Sequence, residues 1–160
     1  MLDDNVWEGV NSLLDNYAGV RENDIAIVVY TSDSREPAAW VSVALSTRGI
    51  EVSQVWMARI QDAGFSDRLR AALPRSIESR RLIVITLERD TMSHSSVLRE
   101  CLANFDPQRC IVIRAISACD ALFSQPLRVL PAELSARNTS ILEACMGAAH
   151  LRIKTRVERI

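Results

Sequence analysis

Apolar positions along the chain follow two spacings. Val6, Val10, Leu13, Leu14 and Tyr17 recur at the step of one helix face, with Asp3 or Asp4 placed to cap the helix and Gly19 to end it. Ile25 to Tyr30 is a continuous apolar, β-branched run, the pattern of a strand covered on both sheet faces. A polar loop follows, Thr31 to Glu36. Pro37 then suits the first turn of a helix carrying Trp40, Val41, Ala44 and Leu45 and stopping at Gly49.

The alternation continues. Ile50 to Trp56 predicts a second strand and Met57 to Gly64 a looser stretch. Ser66 can cap a short helix through Leu73, which Pro74 breaks. Leu82 to Thr86 predicts a third strand, and Glu88 to His94 a polar loop. A helix then shows Val97, Leu98, Cys101, Leu102 and Phe105 on one face and ends at Asp106-Pro107. Cys110 to Arg114 predicts a fourth strand, and Ser117 to Pro126 a loop. Pro131 opens a last helix that Gly147 ends, with Leu134, Ile141, Leu142 and Cys145 expected in the core. Leu151 to Thr155 alternates apolar and polar residues, which suits a fifth strand at a sheet edge.

Strands alternating with helices imply a single α/β domain over residues 1–160. The expected architecture is an open, mostly parallel, five-stranded doubly wound sheet, Rossmann-like, with helices on both faces. Ligands in such sheets bind beyond the carboxyl ends of the strands. The loops reaching that rim hold Ser32, Asp33, Arg35, Arg59, Glu88, Arg89, His94 and Asp120, which are the candidate ligand-binding residues.

Composition narrows the chemistry. The chain has 160 residues, 48% of them hydrophobic, and a formal net charge of -1. That balance gives no electrostatic footprint for nucleic acid. No apolar run reaches membrane-spanning length, and the acidic, polar start does not read as a secretory signal. A cytoplasmic protein with free thiols is the expectation. Cys101, Cys110 and Cys145 have apolar neighbours and read as core residues, and no two cysteines form a C-x-x-C pair.

No cofactor is expected. The turn after the first strand, Thr31-Ser32-Asp33-Ser34-Arg35, lacks the glycines of a dinucleotide fingerprint, and no P-loop or nucleophile elbow is present. Its hydroxyls and backbone N–H groups suit either a small anion or a simple turn and helix cap. With only His94 and His150, no hydrolytic metal site is expected. His94 suits a binding or acid–base role, or equally a helix cap. Cys119, beside Asp120, is the one cysteine in a polar loop, and pairing with His94 would be needed to activate it.

The stretch Leu82-Ile83-Val84-Ile85-Thr86, followed by Asp90-Thr91-Met92-Ser93-His94, resembles a strand and Ser/Thr-rich loop of the N-terminal domain of aminopeptidase T-type metallo-aminopeptidases. Leu134-Ser135-Ala136-Arg137-Asn138 and Ala148 to Thr155 resemble that domain's linking helix and strand. The family's metal ligands lie in a C-terminal domain, and none carries over to a position here. The resemblance implies a stand-alone relative of the family's noncatalytic half. In size and layout the chain is also similar to peptide-binding accessory proteins of crocagin-type ribosomal peptide pathways, which hold a precursor peptide for modifying enzymes. A noncatalytic peptide-binding protein is therefore the leading expectation, and an exposed edge strand could receive the peptide by strand addition. The alternatives are a small metal-independent enzyme using His94 with Asp120 or Cys119, and a structural subunit of a larger enzyme. Expected partners are a peptide, partner enzymes and a second copy in a homodimer, with Trp7, Trp40 and Trp56 as available anchors.

Overall fold

The computed structural model of this chain describes residues 4–90 and 93–146. They fall into two units, divided between Arg128 and Val129. The first contains helix α1 (Asp4–Ser12), strand β1 (Ile25–Tyr30), α2 (Arg35–Thr47), β2 (Glu51–Trp56), α3 (Phe65–Ala72), β3 (Leu82–Glu88), α4 (Ser95–Leu102), β4 (Cys110–Ile116) and α5 (Asp120–Ser124). The second holds α6 (Pro131–Met146).

The strands form one all-parallel sheet in the order β2-β1-β3-β4. β1 and β3 are central, and all but one of their residues are buried, as their unbroken β-branched runs require. α1, α2 and α5 cover one face over Ala26, Val28, Ile83, Ile85 and Leu87. α3 and α4 cover the other with Phe65, Leu69 and Leu98 over Ile27, Val29 and Val84. The doubly wound α/β expectation thus stands, with four strands among the described residues rather than five. The segment expected to form the fifth, Leu151 to Thr155, lies outside the described residues, as does His150.

Two contacts set the packing at named points. At the amino end of the sheet, Arg81 donates to both oxygens of the buried Asp24 (3.0 and 2.5 Å) and to the Gly19 carbonyl (2.7 Å). This two-pronged grip is specific to a guanidinium and fixes the entry of β1 against that of β3. Elsewhere α1 crosses α5 so closely that a Cβ at Gly9 would overlap the Phe123 carbonyl.

Some boundaries and one core assignment differ from the sequence reading. β3 and β4 run on to Glu88 and Ile116, and the loop expected at Ser117 to Pro126 contains α5, whose Phe123 is fully buried. Phe123 meets buried Trp40 edge-on at 5.8 Å, which makes that loop part of the core. Leu134, Ile141 and Leu142 of α6, expected in the core, are 37%, 61% and 63% exposed, and Cys145 is half-buried. Among the described residues of its own unit, α6 has no second element against which that stripe could pack.

No helix among the described residues is long and apolar enough to cross a membrane.

Candidate functional site

The strand order reverses direction between β1 and β3, so the topological switch point lies beyond Tyr30 and Glu88. Two short polar segments meet there. After β1, Thr31 ends the extended run and a turn of 3-10 helix, Ser32–Ser34, leads into α2. The Thr31 N–H donates to Ser34 Oγ (3.0 Å), and Ser34 Oγ donates to the Leu87 carbonyl (2.6 Å). Short hydroxyl side chains fold back on local backbone in this way, which is why such residues turn the chain here. One of those bonds also stitches the turn to β3.

Asp33 occupies the mouth of the crevice. It accepts a hydrogen bond from the Thr31 hydroxyl (2.6 Å) and lies 3.3 Å from Arg59 Nη1. The Thr31 hydrogen bond, with its own backbone N–H and the Arg59 and Arg89 charges, outweighs the effect of burial and holds its carboxyl below the usual range. Arg59 also pairs with Asp90. The space enclosed by Thr31, Arg59, Glu88, Arg89 and Asp90 is only about 10 Å³, room for roughly one water. In this conformation the switch-point crevice is closed by its own ion pairs.

Glu88 is buried beneath this layer. Its Oε1 meets Arg114 Nη2 at 2.6 Å, and its Oε2 accepts from the Ser93 N–H and hydroxyl (2.6 and 2.7 Å). Arg114 donates further to the Ser95 hydroxyl and the Ser93 carbonyl, both at 2.6 Å. The carboxylate is therefore engaged on both oxygens.

His94 has a left-handed backbone (φ 52°) at the entry to α4 and makes no side-chain cap. Its Nε2 lies 2.7 Å from the Ala58 carbonyl, an acceptor only, so Nε2 carries the proton and donates. The ring also rests on Phe65, centroids 5.1 Å apart. The Ala58 N–H in turn donates to Asp62 (2.7 Å). His94 thus anchors the β2–α3 loop to α4. Its ring is engaged by Ala58 and Phe65 rather than by Asp120 or Cys119; Asp120 is exposed at the start of α5. Ser32 and Arg35 are exposed, and Arg89 is exposed beside the crevice. The rim residues brought together are therefore Asp33, Arg59, Glu88 and Arg89. Among the described residues no group of three or more His, Cys, Asp or Glu side chains is arranged to hold a metal.

Open grooves lie elsewhere, among them one between α2 and β2 lined by Ser42, Val43, Val52 and Gln54. A groove of about 430 Å³ runs between β4 and α4, within the size range of ligand pockets. Leu98, Leu102, Phe105, Cys110 and Val112 line it, with Arg99 and Arg114 along its length. Its floor ends at β4, the outermost strand among the described residues. The Leu82 N–H bonds the Arg109 carbonyl, and Leu82 is in register with Cys110. By the parity of a parallel ladder, residues 111, 113 and 115 turn their backbone groups toward β3. Val112 and Arg114 turn theirs outward, beyond which no described residue pairs with them.

The other edge is more polar. β2 reads Glu51-Val52-Ser53-Gln54-Val55-Trp56, mixing polar residues into the strand. Arg68 donates to the Trp56 carbonyl (3.1 Å) while its guanidinium sits 5.0 Å over the Trp56 ring, and Gln54 is held by Ser42. β4, by contrast, reads Cys110-Ile111-Val112-Ile113-Arg114-Ala115-Ile116, with Val112 41% and Ile116 38% exposed. Sequence reasoning missed this groove because the apolar run Cys110 to Ile113 reads as an interior strand. No family model, curated protein or solved structure matches the chain.

Proposed function

We propose that this chain is a noncatalytic peptide-binding module that takes an extended segment as an added strand along β4. The observation that carries the reading is the outward backbone of Val112 and Arg114 beside the apolar β4–α4 groove. An edge strand with outward backbone N–H and C=O groups is a template for strand pairing. An extended peptide there would exchange backbone hydrogen bonds with Val112 and Arg114 and drop alternate side chains against Leu98, Leu102 and Phe105. Affinity would come from the main chain and selectivity from the groove.

The engaged rim supports the same reading, since Asp33, Glu88 and His94 serve internal contacts. The resemblances noted above imply a ligand of the same kind, a precursor peptide held while other enzymes modify it.

A proline at position 112 tests the proposal. The Val112 N–H points away from β3, so Val112→Pro removes an outward donor while leaving the β3–β4 ladder intact, the setting in which edge strands tolerate proline. Isothermal titration with short peptides encoded beside the gene should show binding by the native chain and about tenfold weakening in the variant, the cost of one lost backbone bond and of the peptide acceptor left unpaired. Equal binding by two proteins with matching thermal midpoints would refute strand addition at β4.

A further inference from the structure

We infer that Arg59 is a latch: the switch-point crevice opens by the swing of this one side chain, and its two ion pairs hold it shut. The inference concerns the rim and does not depend on strand addition at β4.

Three rim loops bound the crevice, and Arg59 joins them. It comes from the loop after β2 and meets Asp33 from the loop after β1 and Asp90 from the loop after β3. The backbone of each loop is held by other contacts. The Met57 N–H donates to the Tyr30 carbonyl (2.9 Å). The Ala58 N–H donates to Asp62 and His94 donates to the Ala58 carbonyl, both at 2.7 Å. Ser34 Oγ donates to the Leu87 carbonyl, and the Ser93 N–H donates to Glu88, both at 2.6 Å. Opening therefore needs a side-chain rotation and leaves these bonds made.

Exposure sets how firmly the latch holds. Arg59 is 53% exposed, and Asp33 and Asp90 are 22% and 52% exposed. An exposed pair favours the closed state by about fivefold at most, so two of them leave the open state populated at about a few per cent or more. Arg89 lines the same space and its charge acts on Asp33, so that carboxylate keeps a cation nearby when Arg59 leaves. Beneath the latch lie Thr31 and Glu88, each 2% exposed, which an opening uncovers. Access to the point where such sheets take ligands is thus set by ionic strength and by any group that competes for Arg59 or its two carboxylates.

Carboxyl footprinting reads the latch. A water-soluble carbodiimide with glycinamide labels accessible carboxylates in the full chain, and mass spectrometry gives the rate at each position. Glu88 should label about threefold to twentyfold faster in Arg59→Gln than in the native chain, the combined effect of two exposed pairs. Glutamine removes the charge while keeping part of the bulk. Salt at about 1 M should speed Glu88 labelling in the native chain, because screening then acts within about 3 Å, and should change little in the variant. Asp24, 4% exposed at the amino end of the sheet, is the control, with equal rates expected in the two proteins. Their thermal midpoints should nearly match. A Glu88 rate unchanged in Arg59→Gln, or a native rate indifferent to salt, overturns the latch. A parallel rise at Asp24 also overturns it, since general loosening would then account for the labelling.

Discussion

Arg114 reaches beyond its register neighbour on β3. Its Nε donates to the Thr86 hydroxyl at 3.4 Å, and its Nη2 extends diagonally toward the rim to meet Glu88, 2.6 Å away. The ion pair ties edge strand β4 to central β3 and closes the top of the core, with Glu88 only 3% exposed.

Removing one partner of such a pair leaves a buried charge without its counterion. Arg114→Met should cost about 3 kcal/mol of stability, read as a lowered midpoint in urea unfolding. Restoring neutrality with Glu88→Gln in the same chain should recover part of that loss. A double-mutant cycle measures the coupling, and a coupling near zero would mean that solvent already screens the pair.

Asp62 gives the fold an acid limit. Burial would raise its carboxyl, but the Ala58 N–H, the hydrogen bond and charge of Arg68, and the Gly64 N–H together hold it below the usual value. A carboxyl depressed in the folded state adds stability above its unfolded value, near pH 3.9, and loses it as pH falls through the folded one. The native chain should therefore be more stable than Asp62→Asn at pH 7, with the gap narrowing below about pH 4. Denaturant midpoints for the two proteins across that range check the sign. A gap that widens on acidification contradicts the assignment.

Gly9 sits inside α1, where alanine ordinarily favours a helix by about 1 kcal/mol. Here a Cβ would overlap the Phe123 carbonyl, and backbone cannot swing aside as a side chain can. Gly9→Ala should destabilise the protein by about 1–3 kcal/mol, the cost of overpacking. A raised thermal midpoint would show that α1 and α5 pack less closely than described.

The strands were legible because β-branched runs such as Leu82 to Thr86 have one comfortable conformation when both faces are covered. Their neighbours were not. Cys110 to Arg114 carries the same signal as Ile25 to Tyr30, yet one lies at an edge and the other at the centre, because periodicity records burial of faces and is silent about strand order. The polar residues of the rim were readable as types. Their pairing was not, since Arg59 comes from the loop after β2 and meets Asp33 from the loop after β1. His94 stood out by its rarity, and its left-handed backbone and bond to Ala58 belong to tertiary structure.

The position of β1 in the sheet also has a consequence for how the chain is made. Ile25 pairs with Glu51 on one side and with Leu82 on the other. During synthesis β1 can acquire β2 early, but its second flank stays bare until β3 has emerged from the ribosome. Over that interval an apolar strand waits with half its backbone unmatched, the situation in which nascent chains depend most on chaperones.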